Sequence, residues 1–138
     1  MSWSSLLAQK LRPDENGNLP RLWFLLGSEP LLAIEAQDAI RAAAFKAGYS
    51  ERKSFVFEGN ADYSPLYEAL GEQSLFGEKN LIEVVFPMAT IGKNGPAAVE
   101  AVIEHADEDK MVVVSLFDYD WTTTKKDWFN HLMKSSVC

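Results

Sequence analysis

Four short apolar runs, each followed by a stretch of helical period, set the limits on what this chain can fold into. The runs are Leu22-Trp23-Phe24-Leu25-Leu26, Phe55-Val56-Phe57, Leu81-Ile82-Glu83-Val84-Val85-Phe86 and Met111-Val112-Val113-Val114-Ser115-Leu116-Phe117. They are punctuated by residues such as Gly27 and Pro87, and near-continuous apolar runs of this length read as strands covered on both faces. After the first, residues 30–47 put Leu32, Ala36, Ala39, Ile40, Ala43 and Ala47 on one helical face. Ser28 is the expected N-cap, Pro30 suits the first turn, and Gly48 supplies the stop. Glu35, Gln37, Asp38, Arg41 and Lys46 are expected on the solvated side of that helix. A second helix is expected over 63–73, with Leu66 and Leu70 inward, Tyr67 as a further inward candidate, and Asp62 or Ser64 as its cap. A third uses Ala98, Val99, Val102, Ile103 and Ala106, and the last carries Trp128, Phe129, Leu132 and Met133. Strand and helix thus alternate four times, which predicts an α/β fold with a parallel sheet between helical layers.

Two features lie outside that alternation. Trp3, Leu6, Leu7 and Leu11 form a helical stripe ahead of a turn-rich segment at 13–20. Ser135-Ser136-Val137-Cys138 reads as the start of a fifth strand, so residues 1–138 are expected to be a single α/β domain of a longer protein.

Composition excludes several kinds of function. A chain of 138 residues suffices for one domain that buries about two thirds of its unfolded surface. Apolar residues at 47% and charged residues at 24% belong to a globular chain, and no run approaches the roughly 20 apolar residues of a membrane span. The first residues lack the charged-then-apolar pattern of a secretory signal. Cys138 is the only cysteine, so no internal disulfide can form, and the cytoplasm is the simplest compartment. The net charge is −7, with only Arg52-Lys53 and Lys125-Lys126 as close basic pairs. Strong direct binding to nucleic acid needs clustered cations, so a protein partner is the better expectation.

The positions where chemistry would be sought are poor in the required groups. A phosphate-binding turn after the first strand needs a second glycine and a lysine, whereas this one reads Gly27-Ser28-Glu29-Pro30-Leu31-Leu32. Glu29 repels phosphate and Pro30 removes an amide donor. Asp118 and Asp120 follow the fourth strand, where a magnesium ligand would stand, but without a phosphate loop they read as turn and cap residues before the last helix. His105 and His131 sit on separate helical patterns at no ligand spacing, and Asp107-Glu108-Asp109 reads as a solvated turn. No catalytic residue, metal site or cofactor site is expected.

Gln73-Ser74-Leu75-Phe76 is the remaining candidate, between Gly71 and Gly77. Spacing leaves two readings open. Leu75 and Phe76 could close over the core at a helix end. Alternatively, a stripe running Leu66, Leu70, Ser74 leaves at least one of them off the inward face, on a projecting tip fit to grip another protein.

Leu25-Leu26-Gly27-Ser28-Glu29-Pro30-Leu31-Leu32, followed by Glu35 and Gln37-Asp38-Ala39-Ile40-Arg41, resembles the N-terminal domain of the DNA polymerase III delta subunit family. Ser74-Leu75-Phe76 just before the third strand, and Trp128-Phe129 in the last helix, fit the same family; the likeness runs from about Leu22 to the end of the chain. It implies a RecA-like AAA+ module (a P-loop NTPase-like fold) without a functional Walker A motif. The family is the clamp-loader subunit that binds the beta sliding clamp and helps to open the ring during DNA replication. The resemblance makes Leu75 and Phe76 the clamp-binding pair, flanked by Ser74 and Gln73, in a non-catalytic subunit of the polymerase III holoenzyme. Lid and collar domains, the latter assembling with tau/gamma and delta-prime, are implied beyond this domain. Two alternatives remain: a nucleotide-dependent α/β enzyme with an atypical phosphate site, and a plain assembly module whose Leu-Phe pair is core.

Overall fold

A computed structural model of the chain describes residues 21–26, 30–58, 61–72, 79–88, 91–107, 109–117, 119 and 121–136, the side chains of 30–33 excepted. The expected alternation is present. Strands β1 (Leu22–Leu26), β2 (Tyr49–Val56), β3 (Lys79–Phe86) and β4 (Lys110–Leu116) are joined through helices α1 (Pro30–Lys46), α2 (Ser64–Gly71) and α3 (Gly95–His105). A short 3-10 turn at Thr123–Lys125 precedes α4 (Asp127–Ser135). All strand pairs are parallel and the order is β1-β4-β3-β2.

That order dictates where the helices go. From β1 the chain crosses the whole sheet to β2, then returns one strand at a time to β3 and β4. Right-handed crossovers that advance in opposite directions place their helices on opposite faces. Accordingly α1 packs on one face, through Ala36, Ile40 and Ala44 against Trp23, Leu25, Leu81, Met111 and Val113. Leu66, Leu70, Ala98, Val99, Val102, Trp128, Phe129 and Leu132 pack on the other, against Phe24, Ile82, Val84, Phe86, Val114 and Leu116. At 17 residues α1 is about 25 Å long, ample for a diagonal over three strand spacings of about 4.8 Å. Its contact face is mainly alanine, so the helix lies close to the sheet.

Several boundaries differ from the sequence expectation. β2 begins at Tyr49, not at Phe55, and includes Ser50-Glu51-Arg52-Lys53-Ser54. It pairs only with β3, and an edge strand half open to water does not need an apolar sequence. α2 is shorter than expected, ending at Gly71, with Tyr67 exposed and Ala69 buried. Met133 lies on the water side of α4. Ser135 closes α4 instead of opening a strand, and the hydroxyl of Ser136 donates to the Leu132 carbonyl at 2.5 Å. The Trp3–Leu11 stripe (residues 3–11), Ser28, Val137 and Cys138 lie outside the described residues.

Two glycines hold special positions. Gly48 ends α1 at φ +100°, its N–H donating to the Phe45 carbonyl at 3.1 Å, the left-handed stop expected of glycine. Gly95 opens α3, where an added Cβ would stand 2.6 Å from the Ile91 Cβ and 2.7 Å from its Cδ1. Ile91 cannot easily retreat, because it is buried and its carbonyl accepts the Tyr63 hydroxyl at 2.7 Å. Gly95→Ala is therefore expected to destabilise the domain by about 1–3 kcal/mol through overpacking, although alanine is the better helix former by about 1 kcal/mol. Urea unfolding of the two proteins measures the difference.

Candidate partner-binding site

Gln73, Ser74, Leu75 and Phe76 lie outside the described residues, and the structure defines the frame on either side of them. On the α2 side, Glu72 leaves the helix with extended backbone (φ −64°, ψ 133°), its N–H held by the Glu68 carbonyl at 3.1 Å. Its carboxylate pairs with Lys53 of β2. On the β3 side, Lys79 lies opposite Tyr49, with its ammonium 5.3 Å from the centre of the Tyr49 ring. The Asn80 N–H then donates to the Asp109 carbonyl at 2.7 Å. The β3 flank is thus tied to the amino-terminal end of the sheet, and the α2 flank to the middle of β2. One sequence argument fails here. A Leu66–Leu70–Ser74 stripe presumes that the helix continues, and the turn into extended backbone at Glu72 removes that basis.

The beginning of α2 is set by an Asx turn. Asp62 Oδ1 accepts the Ser64 N–H at 3.0 Å and the Ser64 hydroxyl at 2.7 Å just ahead of the helix, but the N-cap position is Tyr63, without a side-chain cap bond, and not Asp62 or Ser64 as expected. The hydroxyl first, and the N–H second, hold the Asp62 carboxyl below the usual carboxylate range. Since the folded value is the lower one, this contribution is present above the unfolded pKa and fades as pH falls through the folded one. Tyr63 beside it is pushed up, chiefly by burial and then by Tyr67.

The other sequence candidates are dispersed. Residues 27–29 and the two aspartates Asp118 and Asp120 lie outside the described residues. Neither aspartate caps α4, because its N-cap position is Lys126, after the intervening 3-10 turn. His105 ends α3 and is exposed, while His131 Nδ1 on α4 is 2.5 Å from Glu100 Oε2 on α3. Asp107 Oδ1 accepts the N–H groups of Asp109 and Lys110 at 2.8 and 2.9 Å, the expected solvated turn. Among the described residues, no group of three or more His, Cys, Asp or Glu side chains could hold a metal ion. No helix among them is long and apolar enough to cross a membrane.

Sequence reasoning missed the main polar cluster. Glu83, on β3 beneath α1, is only 2% exposed. Arg41 reaches it with Nε 2.5 Å from Oε2 and Nη2 2.9 Å from Oε1, while the Ser54 hydroxyl donates to Oε1 at 2.5 Å. Arg52 Nη1 stands 3.7 Å from the same oxygen, and Arg41 Nη1 is 3.5 Å from Asp38. One turn earlier, Gln37 Nε2 donates to Ser115 Oγ at 2.9 Å. Gln37 and Arg41, expected in water, are therefore half-buried fasteners of α1. A glutamate inside an otherwise apolar strand was the signal, because a buried carboxylate needs partners. Both of its oxygens are engaged, so the group serves the α1–sheet joint, not proton transfer.

The described domain is thus a parallel α/β module in which the evident polar chemistry is structural. The family model for the DNA polymerase III delta subunit matches residues 23–138, and the chain belongs to that family. It is 32% identical over 93 residues to DNA polymerase III subunit delta of Escherichia coli (strain K12), covering 67% of this chain and 26% of the relative. To the subunit of the same name from Haemophilus influenzae (strain ATCC 51907 / DSM 11121 / KW20 / Rd) it is 25% identical over 114 residues, 80% of this chain and 32% of that one. The matches span about a quarter to a third of these curated relatives.

Proposed function

We propose that this chain is the clamp-binding domain of a clamp-loader delta subunit in DNA replication, a cytoplasmic, non-catalytic part of the polymerase III holoenzyme. In this reading it grips the beta sliding clamp through Leu75 and Phe76, with Ser74 and Gln73 flanking them. The observation that carries the reading is family membership over residues 23–138, together with a Leu-Phe pair in the short connection between α2 and β3. The sequence at 27–32, without the lysine and second glycine of a phosphate loop, supports a module that works by binding. Contacts with tau/gamma and delta-prime belong in this reading to lid and collar domains.

Energetics require more than the pair. Burying a leucine and a phenylalanine contributes about 1.5–3 kcal/mol each. Association itself costs several kcal/mol, and micromolar binding needs about −8 kcal/mol net. Further contacts from the elements around 62–80 must therefore take part, with Leu75 and Phe76 as the central hot spot. Ring opening follows if this surface fits the sprung ring interface better than the closed one. Titrating the fluorescently labelled sliding clamp of the same organism with this chain tests the proposal. Saturable binding is expected, and no binding at high micromolar concentration would overturn it.

A further inference from the structure

We draw no further inference here: the strongest candidate, the exposed apolar surface patch of Phe45 at the end of α1, carries none, because nothing in the structure shows what covers it.

Discussion

Replacing Leu75 and Phe76 together by alanine is expected to abolish capture of the sliding clamp while leaving the domain folded. Full burial of the two side chains contributes about 3–6 kcal/mol, so their loss should weaken binding by roughly a hundredfold to ten-thousandfold. The lower end is the better expectation, because alanine keeps the Cβ contacts. Stability separates this account from one in which the pair is core. Surface truncations change unfolding free energy by about 0.5 kcal/mol or less, whereas a buried Leu→Ala or Phe→Ala costs about 2–5 kcal/mol each. Urea unfolding measured beside the clamp titration reads both quantities. An intact clamp affinity would refute the anchor, and a loss of several kcal/mol in stability would assign the pair to the core.

The largest effect on folding is expected at Arg41. Arg41→Ala leaves Glu83 buried beneath α1 with only Ser54 and the more distant Arg52, at 3.7 Å, as partners. Removing one member of a buried ion pair costs about 3–5 kcal/mol, and the remaining partners hold the expectation near 3 kcal/mol. For a domain of this size that lowers the unfolding midpoint by roughly 10 °C. The double variant Arg41→Met with Glu83→Leu should recover to within about 1 kcal/mol of wild type, since no charge is then left buried. If Arg41→Ala unfolds at the wild-type temperature, the pair does not fasten α1.

How much was legible beforehand follows from what each residue meets. β1 was readable to its ends, because Leu22–Leu26 packs helices on both faces and admits no polar residue until the turn. β2 was readable only at Phe55 and Val56; its polar first half is stabilised by pairing with β3, and one strand's sequence does not announce its neighbour. Gln37 and Arg41 look solvated on a helical wheel, yet they reach the sheet because the row of alanines brings α1 close. The strand order also could not be read, since alternation fixes parallelism and leaves adjacency open. At the candidate site, the residues were named from a resemblance. The spacing argument for their projection depended on a helix continuing past Glu72, and that residue is extended.

The central claim concerns one aromatic ring, and a fluorine reporter at position 76 observes it directly. With 4-fluorophenylalanine incorporated there, the account predicts a signal open to a soluble paramagnetic probe in the free protein. On addition of the sliding clamp that signal should shift and become shielded from the probe. A signal already shielded in the free protein, or one unmoved by saturating clamp, would contradict the account.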